Sequence, residues 1–565
     1  MLSGNNVDSP LRVGFLVGRD SVSTRLSIEY VCNLPGIVPA AILLDVEQPS
    51  RSKRWKSLRR NVRREGISYI PHRVTEGVHA FLDLMARRVV DQEAVDRLLR
   101  EAFPERASSL EEIGKRYEAS VFRVNNLNTP RAAEILKEED VDLGIVLGTR
   151  ILKRSTFAVP RLGSINLHKG SVPDYRGLPP GFWELYDGRE SAGITVHFVD
   201  DGLDTGDVIG TQRVDIADSD TEVSLRTKLD REGARLLARC VENLRDRTAV
   251  RVPQPAEARK PRTNPTRRER EAMRARTPAR LVDPYPKGHL LKTAAYLAVY
   301  YSGVYRGIRL IRRATGSSRA VVLLYHRVND LSSDALTAST TAFAEHIALL
   351  KRHYLVLGTS DLLGYLERDE AIPPHSVVIH FDDCYRDVWV NAAPILRAAG
   401  YPATAFIASG FVGTDRPFEH DRNRSPFEHP NLNEEEVRSL VTAGMEVGAH
   451  TVNHVNLGKI SREEVVREVV GSRHDLERIL GTPVVLFSFP FGRLSDISDA
   501  ARDVVQGAGF RALFSAHGGV IKKHCNRFDL PRRGASAEHR PLDLMMEIEG
   551  LSPGDWVPGW IRSRR

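Results

Sequence analysis

Between Pro255 and Arg280 the chain carries nine Lys or Arg against three Glu, together with Pro255, Pro261, Pro265 and Pro278. A stretch of this composition has too few apolar side chains to bury a core, and its prolines interrupt helix and ladder hydrogen bonding. It reads as an exposed linker, so the apolar residues on either side have to build cores of their own. The length of 565 residues agrees, because single cores stop growing at roughly 250–300 residues. The expected division is 1–253, a basic and Tyr-rich connecting segment over 254–317, and 318–565.

Both flanks read as α/β. Before the linker, Arg12–Gly18 (RVGFLVG), Gly36–Asp45 (GIVPAAILLD) and Val141–Gly148 (VDLGIVLG) are short apolar runs. Such runs suit parallel strands covered on both faces. From Asp218 to Asp246, Leu225, Leu229, Leu236, Leu237, Val241 and Leu244 recur at helical spacing and predict an amphipathic helix. The charged region from about Asp91 to Glu118 reads as solvated helices in an insertion. After the linker, Ala320–His326, Ser376–Phe381, Ala403–Ser409, Met445–His450 and Val484–Phe489 are again strand-like, and several end in ionisable residues. In barrel-like α/β folds the strand C-termini carry the chemistry.

Charge and cysteine content exclude some partners. Eighty-one Lys and Arg against 73 Asp and Glu give +8, a mild excess that Arg-rich usage explains. No recognition-helix, RNP or OB pattern accompanies it, so nucleic acid is not an expected partner. The four cysteines, Cys32, Cys240, Cys384 and Cys525, form neither a CxxC pair nor a dense framework. The N-terminus has no basic region followed by a long apolar run, so the cytoplasm, or the inner face of its membrane, is the expected compartment. Within Leu290–Ile311 the uncharged middle, Thr293–Tyr305, is 13 residues, against the roughly 20 needed to span a bilayer. Two readings stay open for 290–313: an interfacial helix in peripheral membrane contact, or a helix packed on the neighbouring domain.

Two constellations carry chemistry. Asn166 and His168 lie two apart in SINLH, so on a strand they face the same side. Asp204 lies downstream, in the Gly-rich turn after the alternating strand TVHFV. An amide, an imidazole and a carboxylate suit formyl transfer to an amine. Asn166, and His168 if protonated, would donate to the developing oxyanion, and Asp204 would assist deprotonation of the amine. The blocks GTRILKRSTF (148–157), GSINLHKGSVPDYRG (163–177) and GITVHFVDDGLDTGDVI (193–209) resemble the formyltransferase family. That family includes methionyl-tRNA, glycinamide-ribonucleotide and sugar-nucleotide formyltransferases, which use 10-formyltetrahydrofolate. The resemblance covers roughly 10–250 and implies a Rossmann-like domain with Asn166, His168 and Asp204 catalytic. It also implies a folate pocket lined by Arg150, Ile151 and Leu152, with Val199 and Asp201 from the loop that runs to Leu203. One departure is Lys169-Gly170, where the family often has Pro-Ser or Gly-Ser after the His.

The second constellation is Asp382-Asp383 with His450 and His454. Adjacent carboxylates at a strand end are costly to bring together unless a cation or a shared proton compensates. Two His four apart converge on one ion if helical. One carboxylate and two imidazoles make a three-ligand site with an open position, the arrangement of catalytic zinc, and the other carboxylate is then free to act as general base. His380–Phe411, Gly444–Leu457 and the step FPFG (489–492) resemble the polysaccharide-deacetylase, or NodB-homology, family (carbohydrate esterase family 4), over about 320–540. The resemblance implies a distorted (β/α)7 barrel, Asp382 as base, and Asp383, His450 and His454 as ligands of a divalent metal, zinc by this donor set. Three departures stand out. Cys384 occupies the usual Gly position, where it fills space rather than binding metal. Ser488-Phe489 replaces the usual Arg before the Pro-aromatic step. The late general-acid His has only positional candidates, His517, His524 and His539. Together the two constellations predict a bifunctional enzyme acting on an amino sugar or N-acylated sugar, nucleotide- or lipid-linked. A formyltransferase fused to an inactive carbohydrate-binding barrel is the alternative.

Overall fold

In the computed structural model, residues 10–552 are described except 49, 68, 108, 256–259, 277–287, 332–333, 423–424 and 536–538. The first nine residues, on which the reading of the N-terminus partly rests, and 256–259 and 277–287 of the basic stretch lie outside the described residues. The chain divides into two compact units, one of residues 1–74 and 106–283, the other of 75–105 and 284–565.

The first unit is built on seven strands: β1 (Leu11–Val17), β2 (Ile37–Asp45), β3 (Ser120–Val124), β4 (Leu143–Leu147), β5 (Ser164–His168), β6 (Ser191–Phe198) and β7 (Val208–Asp215). Their order is β3-β2-β1-β4-β5-β6-β7. The first five are parallel, while β6 and β7 pair antiparallel. The order reverses between β1 and β4, and in such doubly wound sheets ligands bind at that switch point, beyond the strand C-termini. Gly18 and Gly148 close the two strands there. A Cβ on Gly18 would fall 2.0 Å from the Gly148 carbonyl oxygen, so no larger residue fits. Helix α1 (Val22–Cys32) and helix α2 (Glu222–Arg245) cover one face, burying Ile28, Val31, Leu225, Leu229 and Leu237 against Val13, Phe15 and Ile145. Leu16, Leu43, Leu136 and Val146 form the opposite core.

The basic stretch does not hang free. Arg262 adds a parallel bridge to Gly177, and Trp183 Nε1 donates to the Thr263 carbonyl at 3.1 Å. Arg267–Arg276 is a helix whose Met273 enters the core at 1% exposure. Backbone hydrogen bonds and Met273 dock the segment, together with Arg262 on Asp187 and Trp183 and Arg270 on Glu222.

In the second unit, β8 (Arg319–Tyr325), β9 (Ser376–Phe381), β10 (Ala403–Ile407), β11 (Met445–Ala449), β12 (Leu486–Ser488) and β13 (Ala512–Phe514) pair in chain order, all parallel. Leu355–Val356 pairs parallel with the start of β9, and Arg533–Gly534 lies parallel to β8 on its other side. A single bridge, Phe514 to Leu530, links β13 toward that end, so the sheet curls without a full closing ladder. Consecutive right-handed crossovers always return to the next strand, and this produces a curled sheet in place of a doubly wound one.

One expectation about helices changes, and for 290–313 the packed-helix reading agrees with the structure. Gln92–Ala102 buries Val95, Leu98 and Ala102 in the core of this second unit, and Leu110–Arg116 buries Leu110 and Ile113 in the first. The charged residues of 91–118 masked short apolar stripes at helical spacing. His289–Tyr301 and Val304–Ala314 are helices that bury Thr293, Tyr296, Leu297 and Tyr305 in the second unit. Among the described residues, no helix is long and apolar enough to cross a membrane.

Candidate functional sites

In the first unit, the ends of β5 and β6 meet the turn after β6. Asn166 and His197 are directly paired across the β5–β6 ladder. His197 Nδ1–H donates to the Phe198 carbonyl at 2.7 Å, which leaves Nε2 to accept from Asn166 Nδ2 at 3.2 Å. Asn166 Nδ2 also reaches Asp204 Oδ1 at 3.4 Å. Both amide hydrogens are thus engaged, the second weakly enough to be exchanged for a substrate oxygen. Asp204 Oδ2 accepts the Gly177 N–H at 3.2 Å and faces His168 Nδ1 at 3.6 Å. Asp204 sits at φ 54°, left-handed backbone that a non-glycine residue adopts only where its surroundings enforce it. Here Gln254 supports the turn, donating to the carbonyls of Asp204 and Gly206 at 3.1 and 2.8 Å.

The electrostatics divide the roles. Burial pushes the Asp204 carboxyl up, but the neighbouring His197 and His168 and the Gly177 N–H outweigh it and hold it below the usual range. Burial lowers the His168 pKa, and the Asp204 carboxylate only partly offsets this. His168 is therefore neutral near pH 7, and the imidazolium donor considered from sequence is not its resting state. Its Nε2–H donates to the Tyr175 carbonyl at 2.8 Å, leaving the Nδ1 lone pair toward Asp204. Gly170 makes this approach feasible, since a Cβ there would fall 2.3 Å from the Tyr175 oxygen. Lys169, the departure from the family pattern, bonds Ser23 Oγ at 2.7 Å and pairs with Asp230 on α2.

The residues expected to line a folate pocket follow β4 and β6. Arg150 is committed to Asp45, at 2.5 and 2.9 Å, and to Glu47. Ile151 is exposed, Leu152 is buried, and Asn128 Nδ2 donates to the Ile151 carbonyl at 3.0 Å. Val199 N–H donates to the Ser164 carbonyl, and Asp201 pairs with Arg154 at 3.0 Å. That last pair bridges the loops after β4 and β6. Sequence reasoning missed His197, although its place opposite Asn166 was readable from the alternation of TVHFV.

In the second unit, Asp382 and Asp383 follow β9, and His450 follows β11. One ligand atom from each of Asp383, His450 and His454 lies within 4.8 Å of the others. His450 Nδ1–H donates to the Ser488 carbonyl at 2.8 Å, so its Nε2 lone pair faces the carboxylates. Burial pushes the His450 pKa down to about 4, which keeps the ring neutral and fit to ligate. His454 Nε2 is 3.1 Å from Asp383 Oδ1, yet neither buried Asp383 oxygen has an aligned hydrogen-bond donor. A buried carboxylate without donors is costly. Two oxygens and two imidazole lone pairs aimed at one point fit a shared divalent cation. Burial works against the Asp383 anion, but the neighbouring His454, His326 and His420 hold its pKa far below the usual range. Asp383 and His454 both adopt positive φ, 79° and 53°.

Asp382 is held differently. Arg532, fully buried, donates Nη1 to Oδ1 and Nη2 to Oδ2, both at 2.7 Å, and Ser488 Oγ donates to Oδ1 at 3.2 Å. Burial is overcome by this guanidinium, and the carboxyl stays ionised below its ordinary range. Arg532 comes from a segment that sequence reasoning did not inspect. Cys384 is buried in the core and outside the ligand cluster. Of the positional candidates for a general acid, His517 pairs with Asp529 at 3.4 Å and His524 with Asp369 at 3.1 Å, and the His539 carbonyl accepts from His346 Nε2 at 2.6 Å. His326, directly after β8, acts electrostatically on both Asp382 and Asp383. His420 Nε2 lies 3.7 Å from Asp383 Oδ2 and donates to the Tyr385 hydroxyl at 2.7 Å, because that hydroxyl gives its own proton to Asp421 Oδ2 at 2.6 Å.

Residues 90–241 match the formyl transferase family model and residues 369–513 the polysaccharide deacetylase family model. The chain therefore joins a formyl transferase domain to a polysaccharide deacetylase domain. Among curated proteins, methionyl-tRNA formyltransferase of Agathobacter rectalis is 36% identical over 138 residues, 24% of this chain and 44% of that protein. The Symbiobacterium thermophilum enzyme is 36% identical over 153 residues, 27% and 47% respectively. The chain thus spans less than half the length of these relatives. Solved structures with similar folds include a Streptococcus pyogenes deacetylase in complex with acetate, 20% identical, covering 41% of this chain and 98% of that one, TM-score 0.36. An N-formyltransferase from Helicobacter canadensis, in complex with folinic acid and dTDP-3-aminofucose, is 15% identical, covering 45% and 71%, TM-score 0.28.

Proposed function

We propose that this chain is a bifunctional enzyme of amino-sugar acylation, transferring formyl from 10-formyltetrahydrofolate to a sugar amine and hydrolysing an N-acyl amide of a carbohydrate. The observation that carries the reading is the second unit's buried donor set, in which Asp383 has no hydrogen-bond donor beside an Asp382 clamped by Arg532. A catalytically silent carbohydrate-binding barrel has no need to bury a carboxylate whose two oxygens lack aligned donors among facing imidazoles. The sugar acceptor is supported by the match to the deacetylase family and by the chemistry, because formyl transfer consumes an amine and amide hydrolysis releases one.

In the formyl transferase domain, the amine attacks the formyl carbon and negative charge develops on the formyl oxygen. Asn166 donates to that oxygen by giving up its long bond to Asp204. His168 Nδ1 would take the amine's proton, the imidazolium so formed being held by Asp204 Oδ2, and would pass it to the folate nitrogen as the bond between that nitrogen and the formyl carbon breaks. His197 keeps Asn166 and Asp204 in place.

In the deacetylase domain, Asp383, His450 and His454 would hold a divalent ion, and zinc fits one carboxylate and two neutral imidazoles. Such an ion polarises an amide carbonyl and lowers the pKa of a water. Asp382, ionised and fixed by Arg532, accepts the proton of the attacking water. His326 lies near both carboxylates and is the residue we assign to protonate the leaving amine.

Acetyl removal followed by formyl capping is the preferred order, since adding and removing formyl in one compartment would cancel. The test incubates the intact chain with 10-formyltetrahydrofolate and either the N-acetylated or the N-formylated form of an amino sugar. Acetate release with formyl incorporation supports the exchange. Formate release from the formylated sugar, with the acetylated one untouched, rules it out.

A further inference from the structure

The outer face of His289–Tyr301 and Val304–Ala314 is not explained by either catalytic site. The inner face of this helix pair is ordinary, with Thr293, Tyr296, Leu297 and Tyr305 in the core. The outer face should then be charged, as on most surface helices. Instead Leu291, Tyr301, Val304, Leu310 and Ile311 are 75%, 55%, 51%, 66% and 63% exposed. On the first helix, Leu291, Ala294, Ala295, Ala298 and Tyr301 are all exposed at helical spacing, a stripe without one charge. Exposed apolar surface of this continuity marks an interaction site.

The charges nearby decide the partner. From Gly288 to Ser318 the chain has Lys292, Arg306, Arg309, Arg312 and Arg313 and no acidic residue. Arg309 and Arg312 turn onto the buried Glu549, at 3.1 and 2.5 Å. Arg306 and Arg313 stay exposed beside Leu310 and Ile311. A second copy of this face would bring like charges together, which disfavours self-association. An anionic surface with an apolar interior would satisfy both the side chains and the charges. The helices have 13 and 11 residues and break at Ser302-Gly303, so they are built to lie in an interface and not to cross it.

We propose that this helix pair docks the second unit on the surface of an anionic lipid bilayer, with Leu310, Ile311 and Tyr301 in the acyl boundary and Arg306 and Arg313 among the headgroups. Neither catalytic reading is needed for this binding. The test is co-sedimentation of the intact chain with phosphatidylcholine vesicles, with and without phosphatidylglycerol. Variants are Leu310→Glu/Ile311→Glu and, as a second pair, Arg306→Ala/Arg313→Ala, each checked for unchanged circular dichroism. The expected result is pelleting that requires phosphatidylglycerol and weakens with salt. The arginine pair should reduce it at least about tenfold, from the roughly one kcal/mol each basic residue gains at an anionic surface, and the acidic pair should abolish it. Equal pelleting on phosphatidylcholine alone, unchanged pelleting of both variants, or a concentration-dependent dimer with no vesicle binding would each overturn the proposal.

Discussion

Replacing Arg532 with Met should move the activity of the deacetylase domain along the pH axis as well as lower its stability. Arg532 is fully buried and makes two 2.7 Å bonds to Asp382, one 3.1 Å bond to Ser488 Oγ and one 2.9 Å bond to the Ser515 carbonyl. Methionine fills much of the volume but leaves the Asp382 carboxylate buried without its cation. Breaking one side of a buried ion pair typically costs about 3–5 kcal/mol. Part of that loss can be avoided if Asp382 takes up a proton, and this gives the pH signature. In the native protein, the guanidinium holds the Asp382 pKa below the ordinary carboxylate value. The pair therefore stabilises fully above the unfolded-state pKa, about 3.9, and the stabilisation is lost as pH falls through the lower folded value. Without Arg532 the desolvation by burial is opposed only by His450 and His326, so the pKa rises and the base is protonated at higher pH. Amide hydrolysis by R532M should then show an acid limb displaced upward by at least about one pH unit, the equivalent of 1.36 kcal/mol, with activity recovering as pH rises. The assay is release of acetate or formate against pH, beside calorimetry of the intact chain in which chelator sensitivity identifies the transition of this unit. Arg532→Lys should fall between the two, since it keeps the charge and loses the fork. An acid limb unmoved in a folded R532M protein would refute the assignment of Asp382 as the base that Arg532 keeps ionised.

Other expectations follow from the same geometry. Asp382→Asn should retain about one divalent ion per chain yet lose at least about a hundredfold in turnover, whereas His450→Ala should lose the ion; metal analysis separates them, and metal loss in D382N would invert the two carboxylate roles. His326→Ala should depress hydrolysis most for substrates with poor leaving amines, and equal losses for activated and ordinary amides would remove it as the acid. His168→Ala and Asp204→Asn should each abolish formyl transfer while hydrolysis persists in the same preparation, measured as formylated product and as released acid. Gly18→Ala should destabilise the first unit by about 1–3 kcal/mol, because its Cβ would meet the Gly148 carbonyl at 2.0 Å; an unchanged melting profile would show that the switch point can relax.

The sequence alone determined the two α/β cores and most of the side chains that meet at the two candidate sites. Apolar runs ending in polar residues announced β1, β4 and β9, because a strand buried on both faces admits little else. Asn166 and His168 were readable because strand side chains alternate, and Asp383, His450 and His454 because ligand chemistry restricts both residue type and spacing. Tertiary structure decided what local pattern cannot carry. Arg532 reaches Asp382 across 150 residues of chain, and no periodicity ties an arginine in Leu530-Pro531-Arg532 to a carboxylate after β9. His326 lay at a strand end already read from sequence, but only the curl of the sheet sets β8 beside β9 with its end toward the carboxylates. The charge-dense segment 91–118 concealed Val95, Leu98, Leu110 and Ile113, because a few apolar positions at helical spacing suffice to dock a helix whose remaining residues are polar. The basic stretch after Pro255 likewise looked free of structure by composition, and it is held through backbone hydrogen bonds and Met273, contacts that depend on the surface it meets and leave no trace in its own sequence.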